Sequence, residues 1–279
     1  MKVKVPVRVD LCGGWTDVED FCKYYTGAVV NIAINKYVVG ELKREPLLEV
    51  KYTSEVPDGS GLGTSAAMNV CLVSLIRPNF PKAKIADLAY QMERSFDIRT
   101  GKQDHYASAL GGCNYMEFKG NDVYISQLDI PKGLKKRMML FYTGKSRLSS
   151  DIHKKVFSED KTDILKQLVE CAEEMEQILH SIRIDWKDFY KLINRNWNLQ
   201  IQLHKDICPD FVWNMKSQLR GLAKAFRLTG AGGGGVVQIV CEDNQDKIRK
   251  IMKSFGATEI EYDFDTKGIQ KENYDNGRI

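Results

Sequence analysis

"GSGLGTSAAMNV", Gly59 to Val70, places three glycines in five positions and then runs straight into an apolar, helix-forming segment. A flexible linker has no reason to end in a helix. A packed helix has no reason to begin with so much backbone freedom. A loop whose bare backbone must approach something closely, feeding the first turn of a buried helix, reconciles the two. That first turn leaves backbone N–H groups unsatisfied and carries the positive end of the helix dipole, so its natural guest is an anion, phosphate above all. The common mononucleotide loop needs a lysine after its last glycine, and here Thr64-Ser65 stand in that place. Backbone amides would then cradle the phosphate, leaving a hydroxyl free to meet a metal ion. A glycine turn that opens a buried helix and binds nothing is the alternative.

The 279 residues, 43% apolar and 28% charged, suffice for one large or two medium domains around a real core. A net charge of +4, with no basic stripe interleaved with aromatics, argues against nucleic acid as a partner. Seven cysteines without a CxxC pair match neither a zinc site nor a disulfide framework, and read as reduced, mostly buried thiols. No apolar run nears the ~20 residues of a membrane helix, and the N-terminus reads as a strand rather than a signal sequence. A cytoplasmic protein with no membrane partner is the expectation; the sequence carries no signal of oligomeric state.

"KVKVPVRVDL" alternates valines with polar residues, the period of a half-buried strand. "AVVNIAI", "YVVGELKR" and "LEVKYT" read as separate strands, and "CNYMEF", "DVYISQL" and "RMMLFYTG" as three more. Helices are expected after the glycine loop and around "IADLAYQMERSF". Beyond about Ser150 the periodicity turns helical in "DILKQLVECAEEMEQILHSI", "WKDFYKLINRNW" and "FVWNMKSQLRGLAKAF". The chain closes as strand "GVVQIVCE", helix "NQDKIRKIMKSFG" and strand "TEIEYDF". This predicts an α+β protein of two lobes, residues 1–147 and 148–279, with a ligand cleft between them.

Three further stretches carry chemistry. "LTGAGGGGVVQIV" (228–240) spends four consecutive glycines ahead of an apolar strand, more than a turn needs, which predicts close approach to a ligand or to the opposite lobe. "MERSFDIRTGKQDHYASALGG" carries Glu93 and, eleven residues on, Asp104. A hard cation such as Mg²⁺ takes one or two protein oxygens plus phosphates, a task that suits Ser65 with Glu93. Asp104 near that cation stays ionised and is placed to orient a substrate hydroxyl and accept its proton. "RVDLCGGWTDVEDF" sets Arg8 late in a strand before Gly14, Trp15 and Asp17: a loop carboxylate beside an aromatic ring holds sugar hydroxyls, and the arginine stabilises charge on a transferred phosphoryl group. Taken singly, each also has a structural reading: a solvated helix face for Glu93, an N-cap for Asp104, a surface turn for the Trp15 loop.

Together "VPVRVDLCGGWTD", "GSGLGTSAA" and "LTGAGGGG" resemble, in order and across nearly the whole chain, the three motifs of the small-molecule kinases that group galactokinase, homoserine kinase, mevalonate kinase and phosphomevalonate kinase. "GKQDHYASALGGCNYMEF", "FYTGKSR" and "IEYDFDTKGIQ" look like the kinases of D-glycero-D-manno-heptose 7-phosphate, and "GGWTD" like L-fucose kinase. One departure is the absence of a proline soon after Thr16-Asp17. The resemblance implies a two-lobed kinase fold with the active site in the cleft, and transfer of the ATP γ-phosphoryl group to a sugar hydroxyl, the anomeric one. It implies Asp104 and Arg8 as catalytic residues, and Gly59, Ser60, Gly61, Leu62, Gly63, Thr64, Ser65 and Ala66 around ATP. Ser65 and Glu93 would hold Mg²⁺. Asp17, Gly14, Trp15, Tyr142, Arg147, Gly232 and Gly233 are expected on the side of a small-molecule sugar or sugar phosphate, with Lys145 and Arg147 facing a substrate phosphate. The rival expectations are an L-fucose or galactose-type kinase, a kinase of a non-sugar alcohol such as mevalonate, and a regulator of the same fold without turnover.

Overall fold

The computed structural model describes residues 1–43, 49–96, 98–145 and 149–272. Its first lobe is built on a six-stranded antiparallel sheet. β1 (Lys2–Cys12) pairs with β2 (Gly27–Lys43), separated from it by the short α1 (Glu19–Cys22), and β3 (Glu49–Ser54) pairs with the distal half of β2. The glycine loop then opens α2 (Thr64–Ile76), followed by α3 (Lys82–Arg94) and α4 (Gln103–Leu110). β4 (Cys113–Lys119) and β5 (Asp122–Leu128) complete the sheet beyond β2.

The second lobe begins with α5 (Leu134–Arg137) and β6 (Met138–Tyr142). Four helices follow: α6 (Ser149–Val156), α7 (Thr162–His180), α8 (Trp186–Leu203) and α9 (Asp210–Gln218). β7 (Ala225–Leu228), β8 (Val236–Val240), α10 (Gln245–Ser254) and β9 (Thr258–Glu259) come next, and β10 (Gln270–Glu272) ends the described chain. The second sheet runs β7-β8-β6-β9, whereas β10 returns to pair with β1. The sheets therefore exchange strands across residue 147: β6 lies before it yet belongs to the second sheet, and β10 lies after it yet edges the first.

β1 is not half-buried. From Val5 to Cys12 both phases of its alternation are buried, because helices from both halves of the chain pack against it. The polar phase, which the sequence assigns to solvent, places Arg8 and Asp10 inside the protein. β2 is one strand of 17 residues rather than two. Pro6 pairs with Tyr37 and Val7 with Ile34, so a bulge at Asn35-Lys36 absorbs what reads as a turn. Pro6 has no N–H to give a regular ladder at that point.

α9 is nine residues long, not the long helix expected through Phe226. The chain turns at Gly221, which has φ +79°, and Ala225–Leu228 enter the second sheet fully buried. "TEIEYDF" contributes only Thr258–Glu259 to the second sheet, after which Phe264 bridges back to Ile34 of the first. α2 is buried around most of its circumference, as a helix apolar on all sides must be. All seven cysteines are buried free thiols. Among the described residues no helix is long and apolar enough to cross a membrane.

Candidate active site

The two glycine-rich loops touch. Gly59, Gly61 and Gly63 have φ of +66°, +76° and +78°, a region that suits glycine alone among ordinary residues. A Cβ on Gly61 would lie 2.6 Å from the carbonyl oxygen of Thr229, and one on Gly230 would lie 2.7 Å from that of Gly61. Val236 N–H donates to Ser60 O at 2.8 Å, closing the contact between the β7–β8 connection and the loop before α2. Much of the glycine expenditure in 230–235 thus serves the approach of backbone to backbone. Gly63 is the left-handed N-cap of α2, and among the described residues no side chain caps that first turn.

Arg8 pins this loop to α4. Its Nη1 donates to Gly61 O at 2.7 Å, while Nε and Nη2 lie 2.7 and 2.6 Å from Asp104 Oδ1. Burial works against the Arg8 charge, but Asp104, Asp10 and Asp17 outweigh it and hold the guanidinium more firmly protonated than usual. A Cβ on Gly63 would stand 3.3 Å from Asp104 Oδ2, so the glycine leaves room beside that oxygen.

Ser65, in the first turn of α2, donates to Glu93 Oε1 on α3 at 2.8 Å. His105 Nε2 lies 2.8 Å from the other oxygen, close but without the alignment of a good hydrogen bond. Burial raises the Glu93 pKa; His105 and Ser65 more than offset it, and the carboxyl stays below its ordinary range. Glu93 is therefore an ionised, buried carboxylate beside a hydroxyl, a hard oxygen pair.

A cavity of about 560 Å³ gathers these groups. Arg8, Asp104, Ser65 and Glu93 line it, with Gly59, Ser60, Gly61, Gly63, Thr64 and Ala66 of the loop and Gly14, Trp15 and Asp17 of the β1–α1 turn. Gly230 and Ala231 come from the β7–β8 connection and His153 from α6. Trp15 holds φ +89°, unusual for a large side chain, and its ring packs 4.6 Å from that of His153. Burial pushes the His153 pKa down to about 4, so the imidazole is neutral at pH 7.

Other expected site residues stand elsewhere. Leu62 is fully buried in the core, and only its carbonyl serves the site, accepting Arg8 N–H at 3.0 Å. Tyr142 ends β6, paired with Val236 and Thr258, and does not line the cavity. Gly232 packs against Ile207, and Gly233 N–H donates to Ile207 O at 2.8 Å, so both face the second lobe rather than the cavity. Lys145 Nζ lies 4.2 Å over the Phe211 ring. Arg147 lies outside the described residues.

The sequence reading misses the pair that ties the lobes together. Arg227 of β7, wholly buried, forms an ion pair with Asp10 Oδ2 of β1. It also donates to the carbonyls of Asp10, Leu11 and Leu228 and to Gln200 Oε1. Asp10 Oδ1 accepts Gly230 N–H at 3.0 Å, anchoring the second glycine loop at the cavity wall. Burial raises the Asp10 pKa, yet Arg227 and Arg8 bring it below the ordinary value. The one signal for Asp10 was its place in the polar phase of β1, in step with Arg8.

Comparison with known proteins fits this arrangement. Residues 25–112 match the GHMP kinases N terminal domain, and residues 175–258 match GHMP kinases C terminal. The chain is similar to a D-glycero-alpha-D-manno-heptose 7-phosphate kinase of Campylobacter jejuni, 25% identical over an alignment 335 positions long, gaps included, that takes in 97% of this chain and 98% of that one. It is also similar to a mevalonate kinase of Thermococcus sibiricus, 26% identical over 259 residues, with coverage of 88% and 74%. Among solved structures, that of a D-glycero-D-manno-heptose 1-phosphate kinase from Bacteroides thetaiotaomicron aligns with a TM-score of 0.77 at 20% identity, over 98% of this chain and 99% of that one. Both halves of one family are matched in order, and its fold extends over nearly all of the chain, so the protein belongs to the GHMP kinases.

Proposed function

We propose that this kinase transfers the γ-phosphoryl group of ATP to the anomeric hydroxyl of a sugar phosphate, D-glycero-D-manno-heptose 7-phosphate or a close analogue. One observation carries the reading. The uncapped first turn of α2, the Ser65–Glu93 pair and the Arg8–Asp104 pair come from four separate elements and open onto a single cavity. Phosphoryl transfer is chiefly a matter of positioning and charge stabilisation, and this cavity offers both. The similarity to a heptose 7-phosphate kinase over nearly the full length of both chains supports that acceptor over an unphosphorylated sugar.

Backbone amides of residues 59–66 meet the triphosphate, aided by the helix dipole. The Ser65–Glu93 pair fits Mg²⁺, since a small hard cation needs only one or two protein oxygens besides phosphate and water. Bound there, the ion would offset charge on the phosphates. Arg8 holds Asp104 by one oxygen, and the other, beside Gly63, is the acceptor for the substrate hydroxyl's proton. Among the described residues Arg8 and Arg99 are the cations on the cavity wall. Arg8 is committed to Asp104, whereas Arg99 has only a loose, half-exposed pairing with Asp20 Oδ1 at 3.7 Å, which a substrate phosphate would have to displace.

The test is a panel of free and phosphorylated sugars, with mevalonate, each supplied with ATP and Mg²⁺ and followed by coupled ADP detection. The expected result is the highest kcat/KM on a heptose 7-phosphate. Preference for mevalonate would move the protein to the alcohol kinases, and no ADP with any acceptor would make it a non-catalytic member of the fold.

A further inference from the structure

The Glu93 carboxylate, on α3, is held between its two neighbouring helices. Ser65 and Asn69 stand four residues apart on α2 and so share a face of it. Ser65 Oγ donates to Glu93 Oε1 at 2.8 Å. From α4, His105 brings Nε2 to 2.8 Å from Oε2. Burial raises the Glu93 pKa most, and His105, then Ser65 and Asn69, bring it below the ordinary range. The imidazole is wholly buried and the carboxylate nearly so. Tyr90, one turn before Glu93, meets the imidazole edge-on with ring centroids 5.6 Å apart, which limits how the ring can rotate. Oε2 and Nε2 are two buried polar atoms without another hydrogen-bond partner, at the right distance from each other but out of line. Leaving both unpaired is costly. The torsion that turns a carboxylate about its last bond is soft, so aligning them needs no movement of either helix.

His105 directly follows Asp104. Successive residues of a helix point about 100° apart. α4 therefore turns Asp104 to the cavity, where Arg8 grips it, and His105 into the interface with α3, away from the cavity lining. One turn of one helix thus carries both the residue read as proton acceptor and a partner for the carboxylate read as cation ligand. A hydrogen bond from outside a metal site fixes which way a ligating carboxylate faces. We propose that His105 is a positioning residue: it donates Nε2–H to Glu93 Oε2 and so holds the carboxylate beside Ser65 for the cation, without touching the substrate. A neutral imidazole has a single donor nitrogen, and the proposal assigns its proton to Nε2. The rival role is packing alone between α3 and α4. The proposal rests on the reading of Ser65 and Glu93 as the Mg²⁺ pair.

Two polar substitutions separate orientation from packing. The side-chain amide nitrogen of glutamine reaches about as far from the backbone as Nε2, whereas that of asparagine reaches only about as far as Nδ1. Affinity for a non-hydrolysable ATP analogue is measured by calorimetry in saturating Mg²⁺ and again in EDTA, and the ratio of the two reads the hold on the cation apart from turnover. His105→Asn should lower that ratio about tenfold, with affinity in EDTA within about twofold of wild type. His105→Gln should keep the ratio within about threefold of wild type. A ratio that His105→Asn leaves within threefold, or that both variants lower alike, would overturn the proposal. If His105→Asn does not fold, His105→Gln decides alone: a ratio within threefold supports the proposal and a larger fall overturns it. NMR of protein carrying nitrogen-15 histidine gives an independent reading. It should show a proton on His105 Nε2, shifted downfield, with the signal moving back upfield in Glu93→Gln. A proton on Nδ1 alone, or a signal indifferent to Glu93→Gln, overturns the proposal. If Mg²⁺ does not strengthen binding in the wild type, or Glu93→Gln leaves the ratio unchanged, the Mg²⁺ reading fails, while the imidazole signal still decides whether His105 holds Glu93.

Discussion

Replacing Arg227 by methionine tests how strongly one buried group holds the two lobes together. The guanidinium lies wholly out of water between β7 and β1 and makes five contacts: Asp10 Oδ2, Gln200 Oε1 and the carbonyls of Asp10, Leu11 and Leu228. Methionine fills much of the volume but offers no donors. Asp10 would then retain Gly230 N–H and the more distant Arg8 as compensation for a buried negative charge. Removing one partner of a buried ion pair costs about 3–5 kcal/mol. Orphaned carbonyls add about 1–3 kcal/mol each in isolation, though in one network such costs do not sum. We take about 3–5 kcal/mol as the expected loss, a large share of the roughly 5–15 kcal/mol that stabilises a typical domain.

The sign of the double mutant makes the test sharper. Asp10→Asn in the Arg227→Met background removes the uncompensated charge, and should regain about 1–3 kcal/mol relative to Arg227→Met alone. Urea unfolding followed by circular dichroism and by tryptophan fluorescence reads both quantities, and coincidence of the two probes checks that the lobes unfold together. A loss below about 1 kcal/mol for Arg227→Met, or a double mutant less stable than the single, would refute the claim that this pair is a buried, mutually dependent link.

Three other predictions concern the cavity. Asp104→Asn should keep affinity for an ATP analogue but lower kcat by at least ~10², measured by coupled ADP release; a loss under tenfold would remove Asp104 as proton acceptor. Asp17 has a folded-state pKa of about 6, above the 3.8 of the free side chain, so its favourable contribution is full below about pH 4 and is lost as pH rises through 6. Wild type should therefore gain stability relative to Asp17→Asn as pH falls from 7 to 4.5, by about 1.4 kcal/mol per unit of pKa shift realised, and urea midpoints at the two pH values that move in parallel would contradict it. Arg99→Gln should raise KM for a phosphorylated sugar at least fivefold more than KM for its free counterpart, and equal effects on both would take Arg99 away from the substrate phosphate.

What the sequence disclosed follows from which constraints are local. The loop at 59–63 was legible because positive φ admits little but glycine, and because the helix it opens is apolar on all sides. Ser65, Glu93 and Asp104 were legible as residue types suited to one chemistry, and they do meet in one cavity. Asp10 and Arg227 were not, being 217 residues apart, with Arg227 in a segment whose apolar spacing imitates a helix. Asp17 is legible as a carboxylate of the site, but its bond from Gln103 N–H, 86 residues away, leaves no local pattern. Tyr142, Gly232 and Gly233, expected on the substrate side, stand outside the cavity lining: Tyr142 pairs with Val236 in the second sheet, and Gly233 N–H donates to Ile207 O.

The most direct test of the account follows the product itself. Phosphorus NMR of the wild-type protein with ATP, Mg²⁺ and D-glycero-D-manno-heptose 7-phosphate should show ADP appearing in step with one new phosphate ester, coupled to the anomeric proton, and Asp104→Asn should slow both together. ADP accompanied only by inorganic phosphate, or a new ester on any other carbon, would contradict it.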